Sequence, residues 1–201
     1  MSPRRRACSI GVAALLLLVL LVPPVKRALE ATMTAQMLLL MPLLVVAGVV
    51  LCAALPARAV RLSATWDCRG ISGLVLASVT SAFWLVPRLL DSAVSQPAVD
   101  AARYVSIPLL IGVPFSISWP RASFIVRGVF LLECIATLFR MGWLYLIWPD
   151  RLCNSYLLDD QQRLGQDLVL IGVAACVAVG AKLLCGHFDA LAEARPASSQ
   201  H

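Results

Sequence analysis

Glu133 and Arg140 are the clearest charges inside an apolar stretch, the run from Phe124 to Trp148. Seven residues apart on a helix, they share a face but stand about 10 Å apart along the axis. Direct pairing would stretch both side chains, so each is expected to reach for a partner on another helix. A charge at mid-membrane depth costs about 2.5–3.5 kcal/mol by insertion scales, and it marks either a polar path or a clamp between helices. The sequence leaves both readings open. Met33, Met37 and Met41 recur every four residues. Such a row presents a soft face suited to Cu(I), with Cys134 or Met141 able to complete a site. Adaptable core packing is the commoner use of methionine and is the expectation here. Asp159-Asp160-Gln161-Gln162 opens the last apolar segment, where carboxylates favour a helix N-terminus through its dipole and free amides. No nucleophile–base pair, phosphate loop, dinucleotide fingerprint or H-E-x-x-H occurs in the sequence, so no enzyme is expected. The only histidines are His187 and His201, near or in the C-terminal tail.

These residues ride on six long apolar runs: Ile10 to Val22, Met37 to Leu55, Ile71 to Val86, Val105 to Trp119, Phe124 to Trp148 and Leu168 to Leu184. Crossing a bilayer takes roughly 20 helical residues, and backbone amides in lipid must find partners within their own segment. The 201 residues are 60% hydrophobic and 14% charged, with mean hydropathy +0.85. A soluble chain carries about 25% charged residues, so the expected class is an all-α polytopic membrane bundle of six transmembrane helices. Its spans are expected near 8–25, 33–55, 71–87, 104–119, 124–148 and 167–185, within one unit of residues 1–186. A short polar tail, 187–201, follows and is expected to be disordered.

The net charge of +6 is scattered through loops rather than gathered in a stripe, which argues against nucleic acid as a partner. It reads better as topology. With the N-terminus inside, ten basic residues fall on the cytoplasmic side and six outside, while Arg140 stays within a span. Both termini are therefore expected in the cytoplasm. Arg4-Arg5-Arg6 before Ile10 resembles a signal peptide, but Pro23-Pro24-Val25-Lys26-Arg27 provides no small-x-small cleavage site, so an uncleaved first helix is expected. Seven cysteines show no C-x-x-C spacing, and Cys153 alone sits in an expected exported loop, so no disulfide framework is implied.

Prolines punctuate the runs. Pro23-Pro24, Pro56, Pro87 and Pro149 are expected to end helices, while Pro42 lies inside the second. The fourth run carries Pro108, Gly112 and Pro114 among Ser106, Ser116 and Ser118, which suggests a kink with a polar cavity beside it; a simple packing kink is the alternative. Trp84, Tyr104, Trp143, Tyr145 and Trp148 gather at the expected outer ends and Trp66 and Trp119 at the inner boundary, as interface anchors do.

Several segments, in order between Ala28 and Gly172, resemble the CtaG family of cytochrome c oxidase assembly proteins, multi-span bacterial membrane proteins linked to copper. Ala28 to Met41 is similar to that family's H-M-x-x-H-L-L-L-M helix, with Met33 kept and Thr32 and Gln36 at the two histidine positions. Trp84-Leu85-Val86-Pro87 with Asp91 and Ala93 resembles W-H-L-P-x-x-x-D-x-A, Leu85 replacing the histidine. Asp100 and Tyr104 stand where H-x-x-E-H-x-S has histidines, and Arg103 replaces its glutamate. Asp160, Gln161 and Gly165 resemble the D-Q-x-x-x-G helix start. Under the charge-derived topology, Thr32, Gln36, Leu85, Asp91, Asp100, Tyr104, Asp160 and Gln161 all fall at the outer face.

The resemblance implies a non-enzymatic bacterial inner-membrane protein, an accessory scaffold in membrane-complex assembly. Its expected partners are the lipid bilayer and respiratory oxidase subunits or assembly factors. No cofactor is expected: the family's metal-binding imidazoles are absent, and threonine, glutamine and leucine are poor copper ligands. The alternative is a small transporter or channel lined by Glu133, Arg140 and the kinked fourth helix.

Overall fold

Backbone amides that cannot reach water must bond within their own segment. All six apolar runs are helical over most of their length in the computed structural model, which describes residues 3–56, 58, 60, 65, 67–148 and 156–185. Among the described residues there are helices and no strands. We label them α1 (Pro3–Leu21), α2 (Pro23–Glu30), α3 (Met33–Ala54), α4 (Ile71–Trp84), α5 (Pro87–Ser95), α6 (Pro97–Ser118), α7 (Phe124–Ile147) and α8 (Leu158–Cys185). Trp66, Pro149, Cys153, both histidines and the tail 187–201 lie outside the described residues.

Among the described residues three helices, α3, α6 and α8, are long and apolar enough to cross a membrane. The count rises to five if two bent pairs, α1 with α2 and α4 with α5, each form one span. Of the remaining helices, α7 has 24 residues and carries Arg127, Glu133 and Arg140. Many large apolar side chains point outward along these helices, including Leu15, Leu18, Val79, Leu132 and Val177. Burying such a surface in lipid removes it from water.

The prolines expected to end the first and third runs also start new helices. Pro23 and Pro87 are the first residues of α2 and α5, where the missing N–H costs nothing and the fixed φ suits the turn. The chain bends by 70° into α2 and by 69° into α5. A third proline, Pro97, opens α6, seven residues before the expected start at Tyr104. That earlier start places Asp100, Arg103 and Tyr104 within the helix rather than Asp100 and Arg103 in a loop.

Both α3 and α6 contain a five-residue π segment, Gln36–Leu40 and Pro108–Gly112. Each ends two residues before a proline, Pro42 or Pro114. A proline ring crowds the carbonyl four residues back, and the wider turn gives it room. Met41 N–H bonds to Gln36 O and Val113 N–H to Pro108 O across these wider turns. The sequence suggests a polar cavity beside this kink; α3 fills the place instead. A Cβ on Gly48 would lie 2.2 Å from Pro108 O, and one on Gly112 would lie 2.5 Å from Val45 O. The kink is a close helix crossing.

Two apolar clusters pack the end of the bundle where α2 and α5 bend. One joins Leu20, Leu40, Leu44, Trp84, Ala93, Tyr104 and Ile107. The other joins Met33, Met37, Leu90, Tyr145, Tyr156, Leu164 and Leu168. Through this second cluster α7 and α8 lean on the rest of the protein. They pair closely where Gly142 meets Gly165, a Cβ on either falling 3.0 Å from the other's carbonyl oxygen, as small residues do in membrane helix pairs.

Candidate functional site

The site forms where α2 crosses the start of α6. On α2, Lys26 and Glu30 are one turn apart; on α6, Asp100, Arg103 and Tyr104 share a face by the same periodicity. Arg103 is fully buried. Its Nη2 donates to Glu30 Oε1 at 2.5 Å and to Asp100 Oδ1 at 2.5 Å. Lys26 Nζ pairs with the other Asp100 oxygen. Two acids therefore face two bases, and the cluster is formally neutral, which is the condition for keeping such groups out of water. Tyr104 lies beside both cations, its ring centroid 5.6 Å from the Arg103 guanidinium carbon and 5.8 Å from Lys26 Nζ, and its hydroxyl donates to Leu20 O at 3.1 Å.

Tyr156 extends the cluster to α3. Its hydroxyl lies 2.9 Å from Glu30 O and 2.6 Å from Gln36 Oε1. Gln36 is fully buried, and among the described residues its Nε2 has no partner, nor do Arg103 Nε and Nη1. A hydroxyl has one proton for two acceptors; turning the Gln36 amide end for end would let Nε2 donate to the Tyr156 oxygen. Removing the hydroxyl strips Gln36 of this contact. Tyr156→Phe should lower stability by about 1–3 kcal/mol, read as an earlier thermal unfolding midpoint in detergent. A change within a few tenths would show that solvent already reaches the amide.

All but Asp91 of the positions matched to the family motifs separate into three groups. Gln36, Asp100 and Tyr104 come together in this cluster, joined through Glu30, Arg103 and Tyr156. A second group serves packing. Met33 and Met37 are buried in the apolar cluster with Leu85 and Met41 against it, and Met37 Sδ accepts the Tyr145 hydroxyl at 3.8 Å. Gln161 Nε2 donates to Tyr145 O at 3.4 Å, and Gly165 makes the crossing with α7. The third group shapes helix ends: Thr32 accepts the Ala35 N–H at 3.1 Å, Pro87 opens α5, and Asp160 lies in the first turn of α8. Asp91 is half-buried on α5.

Glu133 and Arg140 are not drawn to other helices. They pair with each other along α7, and Thr137 lies between them, accepting from Arg140 Nη2 at 3.1 Å and donating to Glu133 Oε1 at 3.3 Å. Their side chains are 54% and 64% exposed, so they face outward, Glu133 bordering an open groove against α4. The aromatic belt also divides. Trp143 and Trp148 are exposed as anchors should be, while Trp84, Tyr104 and Tyr145 are buried, Trp84 Nε1 donating to Ser106 Oγ at 2.9 Å.

No family model, curated protein or solved structure matches this chain. The sequence marks Arg103 only as a replacement for the family's glutamate and does not mark Lys26, Glu30 or Tyr156 as site residues. Reading Pro97 as a helix start would have exposed the Asp100–Arg103 pair at i,i+3. The pairing of Arg103 with Glu30, 73 residues away, leaves no local signal. Among the described residues, no three histidine, cysteine, aspartate or glutamate side chains group to hold a metal ion.

Proposed function

We propose that this chain is a non-enzymatic, CtaG-like scaffold of a bacterial inner membrane. It acts in the assembly of a respiratory oxidase or another membrane complex. A closed ion-pair cluster stands where the resemblance places metal ligands. The observation that carries this reading is the meeting of Gln36 from one motif with Asp100 and Tyr104 from another, joined through Tyr156, Glu30 and the buried Arg103. A guanidinium locked between two carboxylates orients helices and repels a cation, so the site is built to hold shape. In this reading six helices cross the membrane with both termini cytoplasmic. Each bent pair is then one span, and α7, whose 24 helical residues are long enough to cross, joins the five candidates.

Deleting the gene should lower the oxidase haem signal in reduced-minus-oxidised spectra of membranes several-fold. Wild-type protein should restore it, whereas Arg103→Met should not. Unchanged spectra after deletion would remove oxidase assembly from the reading. The transporter alternative requires Glu133 and Arg140 to line an interior path, and their outward exposure gives it no support.

A further inference from the structure

At the end of the bundle away from the ion-pair cluster, the first turns of α7 and the last turns of α8 border an open groove of about 690 Å³. Leu131, Gly128 and Ile135 make part of an apolar wall, and Trp119, Arg127 and Lys182 lie toward the rim. Arg127 is held in place: its Nε donates to Trp119 O at 3.0 Å, its Nη2 to Pro120 O at 3.1 Å, and its guanidinium lies 5.6 Å from the Trp119 ring centroid. Lys182 is exposed and has no ion-pair partner among the described residues. Among the described residues no acidic side chain lines the groove.

We propose that this groove binds one anionic phospholipid, its phosphate at Arg127 and Lys182 and an acyl chain along the wall to Ile135. Eight helical residues separate Arg127 from Ile135, about 12 Å of axis, close to the roughly 15 Å hydrocarbon depth of one leaflet. Basic rims over apolar clefts between membrane helices suit acidic headgroups, at about 1 kcal/mol for each cation. A second copy fits poorly. Two copies inserted in the same sense about a two-fold axis would bring like-charged rims together at one depth. The proposal is independent of the assembly reading.

The test is native mass spectrometry of the full-length protein from detergent containing equimolar phosphatidylglycerol and phosphatidylcholine. Wild-type protein should retain one phosphatidylglycerol over phosphatidylcholine by about tenfold or more. Lys182→Gln should cut that preference about fivefold. Gly128→Phe, at a position where a Cβ meets nothing within 4 Å, should fill the groove and abolish retention. Circular dichroism and gel filtration should show both variants folded. Equal retention of the two lipids by the wild type, a preference unchanged in Lys182→Gln, or retention that survives Gly128→Phe would overturn the proposal. A lipid-free dimer split by Gly128→Phe would assign the groove to a second copy.

Discussion

Arg103→Met should destabilise the protein by about 3–5 kcal/mol, the usual loss when one member of a buried ion cluster is removed. The wild-type guanidinium is fully buried and satisfies two acids at once, Glu30 and Asp100. Without it, Asp100 keeps Lys26, while Glu30 loses its only ion pair among the described residues. The measurement is equilibrium unfolding in mixed micelles, followed by circular dichroism as denaturing detergent is titrated in. Neutralising the acids at the same time, with Glu30→Gln and Asp100→Asn, should recover most of the loss. Desolvating amides costs less than desolvating carboxylates, and Lys26 is exposed enough to regain water. A loss below about 1 kcal/mol for the single variant would mean that the cluster behaves as a solvated surface pair.

The second large effect belongs to Gly48. A methyl there would sit 2.2 Å from Pro108 O and 2.8 Å from Pro108 Cα. These are backbone atoms, so no rotamer change relieves the clash and α3 must move away from α6. Gly48→Ala should therefore cost at least the 1–3 kcal/mol typical of overpacking, and Gly48→Leu should prevent folding. Gly112→Ala meets the same crossing from the other side, 2.7 Å from Gly48 Cα. The double variant should lose less than the sum of the singles, because the first methyl has already separated the helices. Gly180→Ala, where a Cβ meets nothing within 4 Å, is the control and should be neutral or gain up to about 1 kcal/mol, alanine being the better helix former. Equal losses at Gly180 and Gly48 would show that the crossing does not govern the effect.

Much of the helical architecture was legible because length and apolarity are local properties. The prolines marked the bends and kinks, although Pro23 and Pro87 also begin the next helix. The candidate site was only partly legible. Gln36, Asp100 and Tyr104 were named, but the side chains that join them were not: Glu30 is contributed by α2 and Tyr156 by the segment before α8. Glu133 and Arg140 were named on the right helix, but with partners expected elsewhere. The axial rise argued against a direct pair, yet both long side chains extend toward each other and Thr137 bridges the interval.

The sequence by itself determined that this is a helical chain suited to lipid, because backbone amides in an apolar medium have few ways to be satisfied. It also located the breaks, since proline acts on its own turn. Which face of each helix turns inward was decided by the tertiary structure. A helix that is apolar all round carries no stripe to mark its buried side, and close crossings such as Gly48 against Pro108 choose it instead. The same packing gave Arg103 its two carboxylates and left Glu133 and Arg140 facing outward. A charge's role depends on neighbours that the fold brings from distant parts of the chain.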